Sequence, residues 1–213
     1  MNNERAYKIH ADNKELFLRV VPGHFATSHS HINYYIDMTT QKTRLSEAQA
    51  VAHEMVSYYK SNTIVDTVLC LDGTEVIGTC LAEALTAADF VNMNAHQTIY
   101  VVTPEHTMGS QLIFRDNTVP MIEGKHVLIL AASVTTGYTA KSAIEAVKYY
   151  NGNIAGVCSI FSIPDECMGY PIRSIFNTQN ITDYQSSPSH ECPLCKEGKR
   201  IEALVNSFGY SKI

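Results

Sequence analysis

Apolar positions along most of the chain recur with one of two periods, and the elements follow from which period holds. From Ser46 to about Lys60, Ala48, Val51, Ala52, Met55, Val56 and Tyr59 fall at helical spacing, and Ser46 with Gln49 has the form of a capping box, so a helix is expected. Ile64 to Leu71, IVDTVLCL, is short, β-branched and mostly apolar, and it runs into Asp72-Gly73, the pattern of a buried strand entering a loop. A second helix is expected from about Gly78, and Thr98 to Val102 is a further strand. The polar segment TPEHTMGSQLIFRDNTVPMIEGK follows; a connection this long inside a compact domain is usually functional or mobile. His126 to Leu130 predicts a strand, and Ile154 to Ile163 another. Between them Thr139 to Tyr150 predicts a helix, with Ala140, Ala143, Ile144 and Val147 on one face and Gly152 beyond its end.

Strands alternating with helices imply an α/β fold, a mostly parallel sheet covered on both faces. The two ends of the chain break that rhythm. One domain is expected, with a lid over residues 1–45, the α/β core over 46–165 and a tail over 166–213. Near its end, Arg200 to Phe208 is expected to be a short helix with Ile201, Leu204 and Val205 facing inward.

Composition narrows the classes. A chain of 213 residues with 45% hydrophobic and 17% charged residues can bury a sizeable core and is not of disordered type. Sixteen basic against 21 acidic residues give a formal charge of -5, so general attraction to nucleic acid has no support and an anionic ligand must be gripped locally. No apolar stretch approaches the roughly 20 residues of a membrane span, and MNNERAYKIH lacks the apolar run of a signal peptide, so a cytoplasmic protein with no membrane partner is expected. The six cysteines are too sparse for a disulfide scaffold and read as reduced thiols.

The chemistry concentrates in VLILAASVTTGYT, Val127 to Thr139, a buried strand running into a turn. Ligands of open α/β sheets bind beyond the carboxyl ends of the strands, where loops lead into helix N-termini. In Ser133, Val134, Thr135, Thr136, Gly137, Tyr138 and Thr139 the hydroxyls, a close-approach glycine and the first amides of a helix together suit a phosphate monoester. The same residues also suit a plain strand-to-helix turn.

This segment resembles the phosphoribosyl-diphosphate signature of type I phosphoribosyltransferases, a strand followed by two acidic residues and a Thr-rich, Gly-containing loop. PGHFATSHSHINYYID, Pro22 to Asp37, is similar to the N-terminal hood of the orotate phosphoribosyltransferases, where an aromatic pair, here Tyr34 and Tyr35, contacts the base. Alternate-facing strand residues account for at least one of the two. Asp72-Gly73-Thr74-Glu75 through Gly78 is similar to the family's diphosphate loop, and Thr98 to Lys125 to its strand and mobile catalytic loop. The resemblance covers roughly residues 15–165 and implies that fold, a phosphoribosyl or nucleotide ligand, magnesium where transfer occurs, and a homodimer.

It is incomplete where transfer chemistry is concentrated. The family's acidic pair falls on Ala131 and Ala132, which can neither accept a ribose hydroxyl nor hold a hydrated cation. Its Arg-Lys region falls on Val102-Thr103-Pro104-Glu105, an acid in place of cations. His106 is the nearby candidate donor, with Arg115 and Lys125 more distant, and Asp72 and Glu75 are candidate magnesium ligands. Either a weak transferase or a non-catalytic nucleotide or phosphoribosyl-diphosphate sensor is compatible with this.

HECPLCKEG, His190 to Gly198, has the shape of a zinc knuckle. Cys192 and Cys195 supply two ligands of a structural zinc, with His190 and Cys167 as candidates for the others and Cys158 or a neighbouring subunit as further options. A redox pair and two unliganded thiols are the rival readings. His24, His29 and His31 also cluster, but inside the hood motif, and are not taken as a metal site.

Overall fold

The computed structural model describes residues 5–11, 16–107 and 111–213; residues 108–110 of the long polar segment, and the first four of the chain, lie outside them. The chain forms two compact units, one of Met1–Thr40 with Phe176–Ile213 and one of Gln41–Ile175, so most of the expected lid falls in one unit with most of the expected tail, while 41–45 and 166–175 belong to the other. Among the described residues no helix is long and apolar enough to cross a membrane.

The first unit is a sheet. β1 (Tyr7–His10) pairs antiparallel with β2 (Phe17–Ala26), which pairs antiparallel with β3 (His31–Asp37). Its small core gathers Val21, Phe25, Ile32, Tyr35, Ala203 and Val205. The turn between β2 and β3 is closed by Thr27, whose hydroxyl accepts the amides of His29 at 3.2 Å and Ser30 at 2.9 Å.

In the second unit α1 (Thr39–Thr43, which begins just before it) and α2 (Leu45–Val56) lead into β4 (Thr67–Cys70), α3 (Glu75–Thr86) and β5 (Tyr100–Val102). A two-stranded hairpin follows, β6 (Glu105–His106) against β7 (Leu112–Ile113), then β8 (His126–Val134), α4 (Tyr138–Tyr149), β9 (Asn153–Ser162), β10 (Glu166–Cys167) and β11 (Tyr170–Asn177). The main sheet runs β10-β11-β9-β8-β4-β5, with β5, β4, β8 and β9 mutually parallel. Val127, Ile129 and Ala131 share one face of β8 by strand alternation and pack with Ala140, Ala143, Ile144 and Val147 of α4.

Four sequence expectations need correction. The strand expected to end at Leu130 continues to Val134, because the ladder to β9 runs on through Ala131↔Ser159 to Val134↔Ser162. The helix expected from Gly78 begins at Glu75, and Gly78 sits in its first turns because a methyl group there would lie 2.3 Å from Cys70 Sγ. The capping box at Ser46 does not form: α2 already starts at Leu45, with Arg44 at the N-cap and no side-chain cap. Arg200 to Phe208 is not a helix but most of a hairpin, β13 (Ala203–Asn206) with β14 (Gly209–Lys212), which together with β12 (Ser186–Ser187) and the short α5 (Pro193–Lys196) completes the first unit. The period there is two: Ala203 and Val205 are buried, and Leu204 is 54% exposed.

Candidate functional site

The parallel strands of the second unit, numbered by their order in the chain, lie 2-1-3-4 across the sheet. The connection from β4 goes one way, to β5, and that from β8 goes the other, to β9. The crevice beyond the carboxyl ends of β4 and β8 is therefore the topological switch point, where ligands of such sheets bind. The loops leaving those two strands run from Leu71 to Thr74 and from Thr135 to Gly137, each ending at a helix N-terminus.

The second loop is shaped as an anion cradle. Gly137 is the N-cap of α4 with φ +76°, a left-handed conformation that an L side chain adopts at a cost, and no side chain caps the helix. The first amides of α4 therefore have no intrahelical carbonyl to bond, and the positive end of the helix dipole faces the same space. Thr136 and Tyr138 are exposed, and Ser133, Thr135, Gly137 and Thr139 are half-buried.

Asp72 and Gly73 also take left-handed conformations, with φ 59° and 78°. Thr74 is fully buried and its hydroxyl is directed at the carbonyls of Leu71, at 2.8 Å, and Leu130, at 3.2 Å. It fastens the loop of β4 to β8 rather than facing a ligand. Burial pushes the Asp72 carboxyl up, and the positive charge of Lys42 and of protonated His106 opposes that shift. Lys42 was not found from sequence. Its Nζ donates to the Asp72 carbonyl at 2.9 Å, and a side chain at Gly73 would meet Lys42 Nζ at 3.8 Å and Glu75 Oε2 at 4.0 Å. One cation and two carboxyls thus converge on the first loop. No motif marks Lys42, and only the path of α1 to the sheet brings it there.

Ala131 and Ala132 are 1% and 6% exposed, inside β8 and not in the turn. Ala131 packs against α4, and Ala132 falls on the opposite face of the strand. At Glu105, the acid standing where the family carries cations, Arg115 donates from Nε at 2.9 and 3.0 Å and from Nη2 at 2.6 Å. Those hydrogen bonds hold the Glu105 carboxyl below its usual range. Glu105 lies opposite Ile113 in the hairpin, and Arg115 follows two residues later, just past the end of β7. His106 is exposed on β6, while Leu112 and Phe114 root the returning strand in the core.

In the first unit Tyr35 is buried, edge-on to Phe25 and Tyr210, and burial raises its phenol to about 12. Tyr34 is half-buried and its hydroxyl donates to the Asp183 carboxylate. Tyr35 is thus a core residue, whereas Tyr34 is half-buried with its ring stacked on Tyr184 at 6.5 Å.

The cysteine knuckle belongs to this unit as well. Cys192 is the N-cap of α5, and the turn closes with the Gly198 amide on the Cys195 carbonyl at 3.0 Å. His24 and His31 complete a group in which one ligand atom from each of the four residues lies within 4.8 Å of the others. His190 pairs instead with Glu191 at 3.2 Å, Cys167 lies beside Gly137 at the start of α4, and Cys158 is buried in β9 with its thiol on the Ile129 carbonyl. His24 and His31 were set aside because of their place in the hood motif, which hid their convergence with the two cysteines.

No protein-family model matches the chain. It is 27% identical over 201 residues to a curated orotate phosphoribosyltransferase of Caldicellulosiruptor saccharolyticus, an alignment spanning 93% of this chain and 94% of that one. In structure it is similar to Mycobacterium tuberculosis orotate phosphoribosyltransferase in complex with 5-phospho-α-D-ribosyl 1-diphosphate, with TM-score 0.52, 16% identity and coverage of 69% of this chain and 82% of that chain. It is also similar to adenine phosphoribosyltransferase from Leishmania donovani, with TM-score 0.52, 14% identity and coverage of 76% and 78%. The chain thus has the type I phosphoribosyltransferase fold, and proteins it resembles along nearly its whole length are named orotate phosphoribosyltransferases.

Proposed function

We propose that the chain binds a ribose 5-phosphate compound, phosphoribosyl diphosphate or a nucleotide, at the switch point of its parallel sheet, on an orotate-type frame whose transferase activity is weak or lost. The observation that carries this reading is the contrast between β8 and its turn: a helix N-terminus with a left-handed glycine and no side-chain cap, and, in the strand that leads to it, two buried methyl groups in place of carboxylates. Binding needs the first feature. Transfer needs, in addition, groups that hold the ribose and neutralise the diphosphate as it leaves.

Magnesium fits only one side of such a site. Asp72 and Glu75 are the carboxyls that would hold it, through the diphosphate, and Ala131 and Ala132 offer it nothing on the ribose side. When bound, the ion would offset charge on the departing diphosphate, and Lys42 lies beside the same loop. The pairing of Glu105 with Arg115 favours the second reading, a sensor with no transfer, because the one arginine of that hairpin is engaged by a carboxylate. The family resemblance further supports a homodimer, which light scattering would report as twice the 23.6 kDa chain.

Mixing protein, orotate, magnesium and phosphoribosyl diphosphate and following orotate absorbance tests the reading. The expected rate is at least about a hundredfold below a normal enzymatic rate, since each lost electrostatic contact typically costs that much. A normal rate overturns the loss of transfer. Failure of phosphoribosyl diphosphate, ribose 5-phosphate and orotidine 5-phosphate alike to raise the melting temperature overturns the binding site itself.

A further inference from the structure

We infer that the first unit carries a structural zinc site of two imidazoles and two thiolates, His24, His31, Cys192 and Cys195. Its geometry is independent of the phosphate cradle and of the function proposed for it.

Tetrahedral zinc with Zn–N of about 2.0–2.1 Å and Zn–S of about 2.3 Å sets its ligand atoms about 3.3 Å apart for two nitrogens and about 3.6 Å apart for nitrogen and sulfur. His24 Nε2 lies 3.2 Å from His31 Nδ1. Cys192 Sγ lies 3.5 Å from His24 Nε2, and Cys195 Sγ lies 3.7 Å from it and 3.2 Å from His31 Nδ1. These separations match four of the six edges of a coordination tetrahedron, and the other two lie within 4.8 Å. A hydrogen bond accounts for one such approach, not for four on the same few atoms.

The tautomer of His24 is fixed for this role. Its Nδ1 lies 2.9 Å from the Lys199 carbonyl, which can only accept, so Nδ1 carries the proton and Nε2 directs its lone pair into the cluster. An imidazole oriented from behind by a carbonyl is the usual outer partner of a zinc-bound histidine. Four protein ligands leave no open position for water or substrate, so the ion is structural and not catalytic. Coordination also withholds both thiolates from redox chemistry.

The ligands come from the two ends of the β2–β3 turn and from α5, more than 160 residues later, just before the tail enters the sheet. There Ala203 pairs with Phe25 and the Glu202 amide donates to the His24 carbonyl at 2.7 Å. The ion therefore clasps the tail to the N-terminal sheet and sets the register of β13 against β2. A unit whose hydrophobic core is this small gains most from such a staple.

The test uses the full chain. Purified protein is expected to hold one zinc per chain by elemental analysis. After chelation, titration with cobalt is expected to give the visible bands of a tetrahedral site and a sulfur-to-cobalt charge-transfer band, saturating at one equivalent. Cys192→Ser, Cys195→Ser, His24→Ala and His31→Ala each lose stoichiometric metal, whereas His190→Ala and Cys167→Ser keep it. A stripped wild-type chain that develops no cobalt spectrum overturns the proposal without any variant needing to fold. Retention of metal by His24→Ala or His31→Ala, or its loss from His190→Ala, overturns the ligand set.

Discussion

Asp72 carries an unfavourable charge. Its carboxyl is pushed up by burial, so stability is fullest below the unfolded carboxylate range near pH 4 and is lost as pH rises through the raised folded value. Asp72→Asn should therefore melt at a higher temperature than the parent at pH 7. The gap should close as pH falls toward about 4, by thermal melts across pH. Asparagine tolerates the left-handed φ of 59° at this position, so no backbone penalty offsets the gain. Gly78 gives a second residue-scale outcome: Gly78→Ala is expected to cost about 1–3 kcal/mol in chemical denaturation, and Cys70→Ala in the same chain to recover part of it. The sequence marked Gly78 as the start of a helix, whereas its small size serves the packing of α3 on β4. That need depends on where the Cys70 sulfur lies, which no spacing encodes.

Among the elements, those of the α/β core were legible because their apolar periods are long and unmixed. β8 and α4 were found to within four residues, and the miss at β8 came from Ala131 to Val134, small residues read as the start of a turn although they continue the ladder. The tail misled for a different reason. Ile201, Leu204 and Val205 suit a helical face, but Ser207-Phe208 turns the chain and Ala203 with Val205 satisfies a strand of period two. Leu204→Lys should thus change stability by no more than about 0.5 kcal/mol. Ala203→Leu, overfilling a position with no exposure, should cost about 1–3 kcal/mol by urea denaturation. Equal effects at the two positions would contradict the hairpin.

For the whole molecule, the strand order 2-1-3-4 explains why two loops separated by some sixty residues of sequence leave neighbouring strands at the same end of the sheet. The hood, the diphosphate loop and the cradle were each legible as local patterns. Lys42 and the partners of the cysteine knuckle were not, since only the folded path of the chain brings them to their places. A bound phosphoribosyl ligand at a hundredfold excess over its Kd should stabilise the chain by about 2.7 kcal/mol, seen as a higher melting temperature. Gly137→Val, which puts a β-branched side chain at φ +76°, should abolish that increment. The two methyl groups of β8 carry one more consequence, for sugar selectivity. A carboxylate that accepts a hydroxyl proton contributes about 1.5–3 kcal/mol and penalises a sugar lacking that hydroxyl, but a methyl group has no such preference. Ribose 5-phosphate and 2-deoxyribose 5-phosphate should therefore bind within about threefold of each other by calorimetric titration, leaving the site nearly blind to the hydroxyl that separates the two sugars.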